Sequence, residues 1–153
     1  MAGEWEAGRL RTARLLEVRV AAAAGVRGER LQGVRGEEEG QGSGADLLVT
    51  KTVNSAFYGS PDLRAWFGAQ GVRQFVVAGI QSNMCAETTA HMGGNLGYEV
   101  LFALDATYTF DLVGPWGWTL SAEELARATA VSLHGGGFAT VAATEELVAA
   151  AAR

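Results

Sequence analysis

Phe75-Val76-Val77-Ala78-Gly79-Ile80-Gln81-Ser82-Asn83-Met84-Cys85-Ala86-Glu87-Thr88-Thr89 is the stretch that decides the fold of this chain. It begins with a continuous apolar run, the signature of a parallel strand covered on both faces. Asn83 then suits the cap of a helix running toward Leu96, with Gly97 as its stop. The flanking segments repeat this alternation. Residues 47–49 make a short apolar strand. Ser60 reads as an N-cap with Pro61 at the first helical position, Leu63, Trp66 and Phe67 on one face, and Gly71 as the stop. Residues 100–104 form the next strand, closed by Asp105. Ser121-Ala122-Glu123-Glu124 matches a capping box that opens a helix to about His134. Residues 138–143 make a last strand, and Thr144 caps an Ala-rich terminal helix. The pattern predicts an α/β fold, a three-layer αβα arrangement around a mostly parallel sheet.

Upstream the pattern changes. Residues 9–24 fit a helix, with Leu10, Ala13, Leu16 and Val20 near one face and Gly25 as a stop. Residues 25–44 are rich in Gly, Arg, Glu and Gln and hold no apolar run long enough for a buried strand. They read as a loop or a disordered segment. The expected division is a partial or divergent N-terminal helix and loop over 1–45, followed by the α/β domain over 46–153.

Composition narrows the function classes. A chain of 153 residues suffices for one domain with a real core. The net charge is −5 and the basic residues are scattered, so nothing draws the chain to nucleic acid. No apolar stretch reaches the ~18 residues of a membrane span, and the N-terminus shows no signal-peptide core. Cytoplasm is the default expectation. The single cysteine, Cys85, forbids an internal disulfide. Lys51 is the one lysine among twelve basic residues. A codon bias toward Arg accounts for that scarcity, but not for the survival of Lys at this position.

In an open α/β sheet, ligands sit at the carboxyl ends of the strands. Lys51, Cys85 and Asp105 all fall there. A cysteine just inside a helix start meets the positive end of the helix dipole, which favours the nucleophilic thiolate. The same helix start offers backbone N–H groups to an oxyanion. Taken alone, each residue has a plainer reading. A free cysteine is commonly a small buried hydrophobe, and a lysine a solvated surface group.

A family resemblance reverses that preference. Lys51-Thr-Val-Asn-Ser-Ala-Phe57, the run from Gly71 through Cys85 to Thr89, and Gly97-Tyr-Glu-Val-Leu-Phe-Ala-Leu-Asp105-Ala-Thr resemble, in order and spacing, the isochorismatase-like cysteine hydrolases. The resemblance covers residues 46–111 and weakens toward 144. It implies that 46–153 is a hydrolase domain cleaving a C–N bond of a small amide or carbamoyl-type substrate through an acyl-enzyme. Cys85 would be the nucleophile, Lys51 its charge-stabilising partner, and the backbone N–H groups of Gln81 and Cys85 the oxyanion hole. A cis peptide is implied at Ile80–Gln81. Homo-oligomers are implied too, and no cofactor or metal. Asn54, Phe57, Asn83 and Tyr108 are substrate-binding candidates by loop position.

The family's third catalytic residue is an Asp ending an N-terminal apolar strand in an Asp-x-Gln motif. This chain shows neither that strand nor that motif, and Asp46 lies on the wrong side of its strand to serve. The expectation is therefore a sheet lacking its N-terminal strands, with the strand 75–78 left with an unpaired edge. The competing expectation is a catalytically impaired family member that binds at most a ligand or partner.

The remaining features read plainly. His91 lies about 240° around a helix from Cys85, so it is a packing or surface residue. His134 suits the end of a helix. Two isolated histidines make no zinc site, and the metal-binding Asp/His cluster of nicotinamidases is absent from the sequence. Trp116, Trp118, Tyr108 and Phe110 either line a pocket or cover the core.

Overall fold

The computed structural model describes residues 18–22 and 47–151. Strand β1 (Val18–Ala22) pairs in parallel with β2 (Leu47–Lys51). A 3-10 turn at Ala56–Tyr58 leads to helix α1 (Leu63–Gln70). Next come β3 (Gln74–Ile80), a π-helical turn at Ser82–Ala86, and helix α2 (Glu87–Asn95). Strand β4 (Glu99–Tyr108) precedes a short hairpin of β5 (Leu112–Val113) and β6 (Thr119–Leu120). Helix α3 (Ala122–Gly135), β7 (Thr140–Ala142) and α4 (Thr144–Ala151) complete the chain. Among the described residues, no helix is long and apolar enough to cross a membrane.

Strands β3, β4 and β7 form a parallel sheet with β4 in the centre. Alternation along β4 builds the layers. Val100 and Phe102 face one side, where they meet Val77, Ala86, Ala90 and Leu133 from β3, the π turn, α2 and α3. Leu101 and Ala103 face the other side, against Leu147 and Ala150 of α4. Successive strand residues point to opposite faces, so one apolar run fills two cores. This is the expected three-layer αβα arrangement. Gly94 lets α2 lie close to the chain entering β7, because a Cβ there would come within 2.6 Å of the Phe138 carbonyl oxygen.

The β1–β2 pair forms a separate sheet. A third cluster joins the two sheets on one side. It contains Val49, Ala56, Leu63 and Phe67, with Phe75 and Tyr98 shared with the larger core. The rings of Phe57, Phe67, Phe75 and Tyr98 pack within 5.2–6.0 Å of one another, mostly edge to face.

Several local expectations hold. Gly71 adopts the left-handed conformation after α1, at φ 67°. Ser121 and Glu124 make a reciprocal capping box. Others are corrected. Residues 18–22 are a strand, where a helix over 9–24 was predicted; pairing with β2 outweighs helix periodicity. The rest of that helix, and the loop over 25–44, lie outside the described residues. Ser60 does not cap α1, because its backbone is bridged to Thr50 in both directions at 2.8 and 2.9 Å. Asp62 caps instead, accepting from the Ala65 N–H. Asn83 is not a cap either, since it lies inside the π turn. Thr144 does not cap α4 with its own side chain. The Asp105 carboxylate does so across space, accepting from both the Thr144 N–H and hydroxyl at 2.8 Å.

Candidate active site

Lys51 ends β2, and the pleat decides where it points. Val49 and Lys51 share the covered face, while Leu48 and Thr50 face out. Lys51 is only 8% exposed, uncommon for a lysine without a partner. Its ammonium donates to the Val53 carbonyl at 2.9 Å and to Cys85 Sγ at 3.2 Å.

Cys85 comes from the other sheet. It lies in the π turn after β3, which runs straight into α2. The Gln81 carbonyl accepts from the N–H groups of Met84 at 3.0 Å and Ala86 at 3.2 Å, giving the wide turn that precedes regular α-helix. The Ile80–Gln81 peptide is cis, at the bond that the resemblance implied. The sulfur is half-buried and unpaired as a disulfide, and Asn54 Oδ1 lies 3.8 Å from it. A further link between the two sheets is made by the Ala56 N–H, which donates to Thr89 Oγ1 of α2 at 3.1 Å.

The structure thus brings together Lys51, Cys85 and Asn54, with Gln81 opening the same turn. Asn83 is bound by its side-chain oxygen to the Thr109 hydroxyl at 2.5 Å. Phe57, partly buried, packs in the aromatic cluster and stacks on Tyr98 at 5.7 Å. Tyr108 is exposed and packs edge to face with Phe110. Trp116, 84% exposed, and Trp118 stand against each other on the β5–β6 hairpin and cover no core. His91 packs edge to face on Phe138 at 4.4 Å, and His134 sits in the last turn of α3.

Asp105, at the end of the apolar part of β4, does not join the site. The two hydrogen bonds from Thr144 hold its carboxyl below the usual carboxylate range. Bonds from the Ser121 N–H and hydroxyl do the same for Glu124. Among the described residues, no carboxylate bonds to Lys51 or Cys85. No group of three or more His, Cys, Asp and Glu residues there is placed to hold a metal ion.

Sequence reasoning missed Thr107 and Thr109. The β3–β4 register jumps between Val77, opposite Phe102, and Gly79, opposite Thr107. That irregularity brings the far end of β4 against the cysteine turn. Only the alternation of Thr107 and Thr109 with aromatic residues hinted at it.

A profile of the Isochorismatase domain family matches residues 6–146. The chain belongs to the isochorismatase family. Its N-terminal residues from 6 are thus within the family match. A putative isochorismatase from Burkholderia xenovorans, a solved structure, superposes with a TM-score of 0.73 at 31% identity, covering 95% of this chain and 70% of that one. Nicotinamidase 3 from Arabidopsis thaliana is 36% identical over 97 residues, 63% of this chain and 43% of the plant protein. A ureidoacrylate amidohydrolase from Stutzerimonas stutzeri is 38% identical over 63 residues, 41% of this chain and 25% of that protein. The chain spans about half or less of the length of the curated relatives it matches.

Proposed function

We propose that this chain hydrolyses a C–N bond of a small amide or carbamoyl-type substrate through an acyl-enzyme on Cys85. The observation that carries the reading is the Lys51 ammonium 3.2 Å from the Cys85 sulfur, brought there from a different sheet and out of bulk water. Two of the relatives, by their names a nicotinamidase and an amidohydrolase, point to amide bonds. In this reading the Cys85 thiolate attacks the carbonyl carbon, the C–S bond forms, and the carbonyl π pair moves to oxygen. The backbone N–H groups of Gln81 and Cys85 hold that oxyanion. Collapse restores the carbonyl and expels the nitrogen, which takes up a proton as it leaves. Water then attacks the thioester and releases the acid and the free thiol. Lys51 offsets the negative charge on sulfur. Asn54 is the side chain best placed to meet the substrate, with Asn83 in the cysteine turn and Tyr108 at the end of β4. Cytoplasmic location and self-association belong to the same proposal.

A second reading has one observation in its favour. No carboxylate among the described residues bonds to Cys85 or Lys51, and general acid–base help contributes typically ~10²–10⁴-fold. A chain without it would be acylated yet turn over slowly, acting mainly as a binding domain.

One experiment tests both. Ammonia release from a panel of primary amides and N-carbamoyl compounds is followed with and without a chelator. Activity that survives chelation and vanishes in Cys85→Ala is the expected result. Acylation of Cys85 without ammonia turnover selects the second reading. Loss on chelation overturns the metal-free reading, and action on isochorismate alone overturns the amide assignment.

A further inference from the structure

Two threonines at the end of β4 stitch down the cysteine turn. Thr107 and Thr109 are two residues apart in extended chain, so their side chains share a face, while the exposed rings of Tyr108 and Phe110 occupy the opposite one. The Ser82 hydroxyl donates to Thr107 Oγ1 at 2.9 Å, and Thr107 passes its own proton to the Leu104 carbonyl at 2.9 Å. The Gln81 side-chain N–H donates to Thr109 Oγ1 at 3.2 Å, and Thr109 donates to Asn83 Oδ1 at 2.5 Å. Three consecutive residues of the turn, Gln81, Ser82 and Asn83, are each held by one of these hydroxyls.

The two relays are not equivalent. Thr107 spends its proton on a carbonyl of its own strand, so it anchors one point of the turn. Thr109 spends both of its bonds on the turn and joins Gln81 to Asn83. A hydroxyl has one proton, which gives the relay one direction: the Gln81 amide gives and the Asn83 oxygen receives. Thr109 is 4% exposed. A hydroxyl buried so deeply is costly unless its bonds are made, so losing them leaves two side-chain amides without their partner.

We propose that Thr109 is a positioning residue for the oxyanion-holding turn, acting through Gln81 and Asn83; this rests on the reading of Cys85 as an acylated nucleophile. Thr109 does not touch the sulfur. It sets the orientation of the residue that opens the turn, and preorganised donors lose much of their effect when displaced.

Two reagents separate this role from simple loosening of the turn. With p-nitrophenyl acetate, the thiolate attacks the carbonyl carbon, an oxyanion forms, and collapse expels p-nitrophenolate to leave an acetyl thioester on Cys85. With iodoacetamide, the same sulfur displaces iodide from carbon and no oxyanion forms. Thr109→Val keeps the shape and removes both bonds. It should slow acylation about 10- to 100-fold while leaving alkylation at neutral pH within about twofold. Thr109→Ser should restore acylation. If Thr109→Val does not fold, Thr109→Ala carries the same expectation. Equal losses in both reactions, or no loss in either, overturn the positioning role. Cys85→Ala releasing p-nitrophenolate as fast as the native chain would overturn the reading of Cys85 itself, and the positioning role with it. If release needs Cys85 and Thr109→Val acylates normally, the positioning role alone falls.

Discussion

The two sheets of this molecule are built to different standards. The β3–β4–β7 sheet is covered on both faces, and β4 presents four consecutive buried residues, Val100 to Ala103. In the β1–β2 sheet, β2 buries Val49 and Lys51 on one side and leaves Leu48 more than half exposed on the other. Parallel sheets are ordinarily buried on both faces. The nucleophile candidate stands on the well-packed sheet, and its cationic partner on the half-covered one. What holds them at 3.2 Å is the aromatic cluster around Phe57, Phe67, Phe75 and Tyr98, together with the Ala56–Thr89 bond. The pairing of Lys51 with Cys85 is therefore only as firm as the seam between the two sheets.

Three experiments break or sharpen that contrast. The largest effect belongs to Phe102→Ala, at a fully buried ring in the centre of the larger sheet. It should cost about 3–5 kcal/mol in denaturant unfolding. A cost below about 1 kcal/mol would show that the double-sided core is not the stable unit. Val49→Ala removes two buried carbons from the one-sided sheet and should cost about 2 kcal/mol or less. Hydrogen exchange reads the difference directly. Amides of β2 should lose protection in Val49→Ala while those of β4 keep theirs. Equal loss in both strands would mean that the sheets open as one cooperative unit.

The smallest effect concerns Asp105 and acid. Its carboxyl is held below the usual range by the Thr144 bonds at the start of α4. The folded state thus binds this proton less tightly than the unfolded chain does, and stability rises with pH where the two differ. The contribution is complete above the ordinary carboxylate value, about pH 4, and fades as pH falls through the lower folded value. Asp105→Asn should flatten this part of the acid unfolding curve and leave it unchanged near neutrality apart from a constant offset. An acid limb identical to that of the native chain would show that the carboxylate does not stabilise α4.

Much of the larger sheet was legible because its signals are local. The apolar runs at β3 and β4, the left-handed Gly71 and the Ser121–Glu124 box depend on neighbours within a few residues. Asp105 was legible as the end of a strand but not as a helix cap, because its partner Thr144 lies 39 residues away. Phe57 sits in a motif beside Lys51, but its packing on Phe67, Phe75 and Tyr98 was not legible there, because those rings stand on other elements. The strand at Val18–Ala22 was hidden for the same reason: its sequence tolerates a helix, and a parallel neighbour decides otherwise.

The sequence by itself determined the family, the alternation of strand and helix, and the presence of one thiol and one amine at the carboxyl ends of strands. It did so because periodicity, caps and motif spacing are short-range properties. Only the tertiary structure decided that the amine faces the thiol, that Asp105 faces elsewhere, and that Thr109 braces the turn. Those outcomes depend on the pleat that turns Lys51 inward, the register jump that brings the end of β4 to the cysteine turn, and the aromatic seam that sets one sheet against the other. Each is a contact between distant segments, fixed when packing selects among orientations that are locally equivalent.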